Sequence, residues 1–168
     1  VADCGWGMLF ARSAQEAADS ACQQALEPLA GRPCHLACVF VSPVYRVAWS
    51  EILARLHERR RPHVLIGCSG SGIIGGGQEL EWMPAVSVVA AHLPDVRLFP
   101  VTASPETLAH SEPGGFWVDT IGVAPDAQPF FVVLADPFTA QPQKLLAELN
   151  ATYRARPIIG GLASGGER

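Results

Sequence analysis

Val64-Leu65-Ile66-Gly67-Cys68-Ser69-Gly70-Ser71-Gly72-Ile73-Ile74-Gly75-Gly76-Gly77-Gln78-Glu79-Leu80-Glu81 runs from a short apolar strand straight into a glycine-rich segment. Gly67, Gly70, Gly72, Gly75, Gly76 and Gly77 are six of the sixteen glycines in the chain. Glycine gathers where the backbone takes positive φ or approaches a neighbour too closely for a Cβ. Cys68, Ser69, Ser71 and Gln78 intersperse polar side chains among them. The segment therefore reads as a binding loop at a strand end.

Two nucleotide motifs must be tested against it. Gly70-Ser71-Gly72-Ile73-Ile74-Gly75 matches GxGxxG, and Asp95 lies twenty residues beyond Gly75. The dinucleotide fingerprint needs its third glycine in a helix packed on the sheet. Gly75-Gly76-Gly77 would open such a helix at a cost of about 1 kcal/mol per glycine relative to alanine. Pro84 then follows too soon for a crossover helix. The P-loop pattern fails as well, because no lysine follows the glycines.

The sequence around this segment alternates strands and helices. Gly5 to Phe10 is a short apolar run. Ser13 and Glu16 form a capping-box pair that starts a helix bearing Ala14, Ala17, Ala18, Ala21 and Ala25. Leu36 to Val41 is a continuous apolar strand stopping at Ser42-Pro43. Trp49, Ile52, Leu53 and Leu56 mark the apolar face of a second helix, with Glu51 and Arg55 paired outside. Three strands linked by two helices predict parallel strands. Beyond the glycines, Ala85 to His92 and Val96 to Val101 are expected to form an antiparallel hairpin across Leu93-Pro94-Asp95. Thr102 to Gln128 is rich in Pro, Gly and Asp and reads as loop with a short helix near Pro105 to Ala109. Phe130 to Leu134, a helix from Pro142 bearing Leu145, Leu146, Leu149 and Tyr153, and Pro157 to Ile159 make a further β-α-β unit. The fold class is α/β: a mixed sheet beginning β-α-β-α-β, then a hairpin, then that unit.

Composition narrows the function. Of 168 residues, 49% are apolar and 17% charged, so the chain can build a core. The net charge of −4 argues against nucleic-acid binding, which needs a basic surface. Arg59-Arg60-Arg61 reads as complementing a helix C-terminus. No apolar run reaches the ~18 residues of a membrane span, and no signal peptide is visible. The five cysteines lack zinc spacing and read as reduced thiols; Cys34 and Cys38 would lie ~13 Å apart on one strand, too far for a disulfide. No acidic or His cluster has metal-ligand spacing, so neither a metal nor a cofactor is expected. Gly67-Cys68-Ser69-Gly70-Ser71 misses the GxSxG nucleophile elbow by position. A nucleophile also needs a base, and His35, His57, His63, His92 and His110 are scattered.

In an open parallel sheet, ligands sit beyond the carboxyl ends of the strands. The candidate ligand-binding residues are therefore Ser42, Cys68, Ser69, Gly70, Ser71, Gly75, Gly76, Gly77, Asp136, Gly160 and Gly161. Backbone N–H groups of the glycine segment would receive a carboxylate, and Asp136 an ammonium. Each position also has a plainer reading, since Ser-Pro and Asp-Pro initiate turns and Gly-Gly reverses chains.

Residues Gly67 to Leu80 resemble the signature loop of the FIST N domain, the N-terminal part of the F-box and intracellular signal transduction module. Phe40-Val41-Ser42-Pro43, Pro84-Ala85-Val86-Ser87-Val88, Leu134-Ala135-Asp136-Pro137-Phe138 and Ile159 to Gly166 resemble its other recurrent stretches, in order. The resemblance implies a cytoplasmic sensory domain that binds small ligands such as amino acids, without implying a settled reaction. On this reading residues 1–168 are one FIST N-like domain, a fragment of a longer protein whose partners are a small molecule, a C-terminal FIST domain of the same chain and a signalling protein. Two alternatives stand beside it. A protein-interaction module predicts a broad apolar patch. A thiol or serine acyl-transfer enzyme predicts a base within reach of Cys68 or Ser69.

Overall fold

The structure is a computed structural model describing residues 1–11 and 13–165. Gly166, the last residue of one recurrent stretch, lies outside them. The chain divides into two compact units, Val1–Arg97 joined by the segment from Ser164, and Leu98–Ala163.

The first unit holds β1 (Asp3–Phe10), α1 (Ala14–Leu26), β2 (Leu36–Val41), α2 (Trp49–Arg60), β3 (Val64–Ser69), β4 (Gly72–Gly75), β5 (Gln78–Glu81) and β6 (Ala85–His92). Four strands make a mixed sheet in the order β1-β6-β2-β3. β2 and β3 pair in parallel, while β6 runs antiparallel to both β1 and β2. The three helix-linked strands thus share one direction, as the β-α-β-α-β rhythm predicts, but β6 is inserted between the first two. The strand pattern of Val86 to Ala90 fits that central place, because the run is apolar apart from Ser87 and buried on nearly every residue.

Helix α1 lies on one sheet face with unusual closeness. Ala17, Ala18, Ala21 and Ala25 are fully buried. Opposite them stand Gly5 and Gly7, where an added Cβ would overlap the carbonyl oxygens of Ala25 and Ala21. Alanine on the helix and glycine on the strand are therefore one steric device. Val39, Val41, Val86 and Val88 fill the remainder of this face, and Ile52 and Leu56 of α2 complete the core. Leu53, expected on the apolar face of α2, is instead 41% exposed. Ser13 caps α1 by accepting from the Glu16 N–H at 3.4 Å. Glu51 and Arg55 pair at 3.6 Å, and Arg55 and Arg59 both reach Asp19 of α1, at 3.1 and 3.0 Å. Arg61 takes the left-handed conformation that ends α2.

The second unit holds α3 (Pro105–Ala109), α4 (Gly115–Ile121), β7 (Phe131–Ala135), α5 (Pro142–Thr152) and β8 (Ile158–Leu162). β7 and β8 form a two-stranded parallel sheet, the further β-α-β unit. Leu108, Trp117, Leu145, Leu149 and Tyr153 form its core. Inside it, Glu148 accepts a 2.8 Å bond from the Trp117 indole and pairs with Lys144 at 3.6 Å.

One expectation fails. Val96 to Val101 is not a strand and forms no hairpin with Ala85 to His92; residues 96–104 are irregular. Both edges of β6 are already occupied, by β1 and β2, so no edge remains for residues 96–101 to pair with. The hairpin that does follow β3 is β4–β5.

Candidate functional site

The glycine-rich segment is structured throughout. β3 continues to Ser69, and β4 and β5 pair in register from Gly72↔Glu81 to Gly75↔Gln78. Gly76 and Gly77 make the two-residue turn with φ of 58° and 74°. Positive φ at both central positions is the geometry that matches the twist of a hairpin, and Gly-Gly supplies it without a Cβ penalty. The expected loop is therefore corrected to a hairpin, and where a dinucleotide fingerprint needs a helix there is strand.

This hairpin is seated on the sheet face opposite α1. A Cβ on Gly75 would sit 2.9 Å from the Met8 Cβ and 3.0 Å from the Ser87 Oγ, and one on Gly76 would overlap the Trp6 ring. Ile73 points inward and is buried, while Ile74 points outward at 68% exposure. Met8, Ser87, Phe40 and Cys68 form one row across the sheet on this face, followed by Trp6, Val89, Cys38 and Ile66. Both rows lie on the face away from α1, and Trp6 remains 55% exposed.

At the carboxyl ends of β2 and β3 the polar residues divide by role. Ser42 is buried, accepts from the Val44 N–H at 3.3 Å and donates its own N–H to the Ala85 carbonyl. It caps a turn. Gly70 donates its N–H to the Val41 carbonyl. Ser69 accepts at its carbonyl from the Ser164 N–H, and Ser71 donates its N–H to the Ser164 Oγ at 3.0 Å, with the two hydroxyls 3.3 Å apart. Ser164 thus ties β3 to the start of the hairpin. It was not among the candidate residues, although its Ala-Ser-Gly setting echoes Gly70-Ser71-Gly72. Trp6, Met8 and Ser87 were missed too; their alternation with Gly5 and Gly7 along β1 was the available signal for the first two.

The remaining candidates belong to the second unit. Asp136 accepts from the Phe138 N–H and from the Thr139 hydroxyl, both at 2.9 Å, so both carboxylate oxygens serve its own turn. Gly160, with φ of 151°, pairs with Val133 so closely that a Cβ would overlap the Val133 carbonyl oxygen. Gly161 is exposed with open space around it.

Burial pushes the Cys68 thiol above its ordinary range, which disfavours the thiolate. His35, His63 and His92 cluster at the opposite end of the sheet, His35 with its ring 4.9 Å from each of the others. There the Nδ1 of His35 accepts from the Leu93 N–H at 2.7 Å. Among the described residues, no group of three or more His, Cys, Asp or Glu is placed to hold a metal ion. A cavity of about 390 Å³ lies beside the end of α1, lined by Gln23, Leu26, Glu27, Ala30, Gly31 and Arg59, and a smaller one of about 150 Å³ is lined by Asp19, Arg55, Glu58 and Arg59. Neither touches a candidate residue.

These elements define an α/β domain that carries a glycine hairpin folded onto one sheet face at the strand ends. The FIST N domain model matches residues 35–168, and the chain belongs to that family, whose domains are associated with signal transduction. It is 30% identical to the uncharacterized protein Rv0628c of Mycobacterium tuberculosis (strain ATCC 25618 / H37Rv) over 98% of this chain and 41% of that protein. The uncharacterized protein Mb0898c of Mycobacterium bovis is 27% identical over the same shares. The chain thus spans about two fifths of the length of these relatives. Among the described residues, no helix is long and apolar enough to cross a membrane.

Proposed function

We propose that this chain is the small-molecule-sensing part of a signal-transduction protein, with its ligand held on the sheet face under the β4–β5 hairpin. The supporting observation is the seat of that hairpin. Gly75 and Gly76 rest on Met8, Ser87 and Trp6 with no room for a side chain. A mere connection would not need so close an approach. A flap hinged at Ser69 to Ser71 and tied by Ser164 has the construction of a lid whose position a ligand could bias. The proposed ligand is an amino acid or similar small metabolite, gripped by Ser69, Ser71 and backbone N–H groups beside an apolar floor of Trp6, Met8 and Cys68. Asp136 is proposed as a turn cap and not as the ammonium partner. No catalytic step is assigned, since a raised thiol pKa and histidines at the far end of the sheet both favour binding over acyl transfer.

A second reading has its own support. Trp6, Phe10, Ile74, Trp82 and Met83 are between 38% and 80% exposed, and such an apolar surface also suits a protein partner. A thermal-shift screen of the twenty amino acids on the full polypeptide separates the two. Saturation at one hundred times Kd adds about 2.7 kcal/mol. A hit that Ser71→Ala weakens and Gly76→Ala abolishes upholds the sensor. A hit indifferent to both moves the site elsewhere, and no hit together with stable association through Trp82 favours the interaction module.

A further inference from the structure

Residues 5–71 and 96–164 follow one pattern of strands, caps and glycines. In each, a strand ends in a capped X-Pro turn, followed by a helix and a parallel strand. Val39 pairs with Gly67 and Val133 with Gly160, and these two spacings differ by one residue. At both glycines an added Cβ would overlap the carbonyl oxygen of the paired valine. Three residues after each valine, Ser42 and Asp136 cap the turn by accepting from the N–H two residues on. Three residues after each glycine, the N–H of Gly70 and of Ala163 returns to the carbonyl of Val41 and of Ala135. One residue further stand Ser71 and Ser164, the pair that hydrogen-bond to each other. Upstream, Ser13 and Ser104 cap their helices by accepting from the N–H three residues on. Ser13 lies three residues after Gly5 to Phe10, which is strand, and Ser104 three residues after Val96 to Val101, which is not and which carries Arg97 and Pro100 among its apolar residues.

What distinguishes the second copy is a missing strand. In the first, β6 lies between β1 and β2 and supplies the partner of both. In the second, no strand among the described residues lies alongside β7 on the edge away from β8. The Phe131 N–H reaches the Pro157 carbonyl in the β8 segment, so by alternation the N–H groups of Val132 and Leu134 face that open edge. Their counterparts, Cys38 and Phe40, are the residues that pair with Val89 and Ser87 of β6. Val132 is 43% exposed, as befits a strand lacking a neighbour.

We propose that β7 is an acceptor edge for an antiparallel strand of the same polypeptide, the counterpart of β6. Its chain position follows from the repeat. β6 comes after β3, so its counterpart comes after β8. The relatives have the length to supply it, since this chain covers 41% of them. Once that strand is in place, β7 has a neighbour on each side, as β2 has in β6 and β3.

Amide hydrogen exchange tests the proposal. The Val132 and Leu134 amides are expected to exchange at least a hundredfold more slowly in the full polypeptide than in residues 1–168, independently of concentration. Equal exchange in the two overturns it. So does slowing in the 168-residue chain that grows with its own concentration, because a second copy would then be the occupant. Should the shorter chain not fold, cross-strand amide contacts to Val132 and Leu134 in the full polypeptide decide. Contacts from residues beyond Arg168 uphold the assignment, and contacts from another molecule or from earlier residues overturn it.

Discussion

Gly76→Ala and Gly77→Ala form a matched pair that measures how firmly the hairpin is seated. Both residues take positive φ, and placing alanine there costs about 1–2 kcal/mol in backbone strain. At Gly77 nothing lies within 4 Å of the added Cβ, so strain is the whole effect. At Gly76 the same Cβ would overlap the Trp6 ring, and overpacking adds about 1–3 kcal/mol. The hairpin can lift without unfolding the sheet, so the cost should appear as local opening. The assay is hydrogen exchange of the β4 and β5 amides, where about 1.4 kcal/mol is a tenfold change. Gly77→Ala should accelerate exchange about tenfold, and Gly76→Ala roughly a further five- to hundredfold. Trp6→Ala should remove most of that excess, leaving the double variant close to Gly77→Ala. Equal acceleration by the two alanines, or an excess that survives Trp6→Ala, would refute the seat on Trp6 and with it the lid.

Two predictions concern pH. Burial pushes the Glu148 carboxyl up, but hydrogen bonds from Ser111 and Trp117 and the charge of Lys144 outweigh it and hold it below the ordinary range. Its contribution is therefore present above pH ~4.5 and lost as pH falls through the lower, folded value, so Glu148→Gln should flatten the acid limb of urea-midpoint measurements in the second unit. His35 is lowered by its partial burial and by His63 and His92, and its Nδ1 must stay unprotonated to accept from Leu93. The neutral form is favoured in the fold, so stability should fall as pH drops from ~6.5, and His35→Asn, whose carbonyl can take the same N–H, should remove that slope.

The parts of this fold visible in the sequence were those set by local patterns. Ser13 with Glu16 located the start of α1, the apolar run of Leu36 to Val41 gave β2, and Pro142 opened α5. The alanine face of α1 was visible, but its partners Gly5 and Gly7 were not, because strand glycines carry no signal of what approaches them. At the site, glycine composition located the right segment and misjudged its conformation. A two-residue Gly-Gly turn between Gly75 and Gln78 is a hairpin signal, and the polar side chains between the glycines obscured it. Asp136 and Ser42 were found as strand-end residues, yet hydrogen-bonding to their own turns leaves them little capacity for a ligand.

The misreading of Val96 to Val101 carries the most physical content. Val96, Leu98, Phe99 and Val101 give it an apolar content close to that of β1, though Arg97 and Pro100 interrupt it, and it precedes a serine-capped helix by the same spacing. Strand formation, unlike helix formation, draws its hydrogen bonds from another segment, so a correct local pattern is not sufficient. β1 is a strand because β6 is beside it. Residues 96–101 are irregular, and among the described residues they belong to no sheet. The strand-like content and the irregular conformation are therefore consistent with each other, since a strand needs a neighbour that the local sequence does not supply.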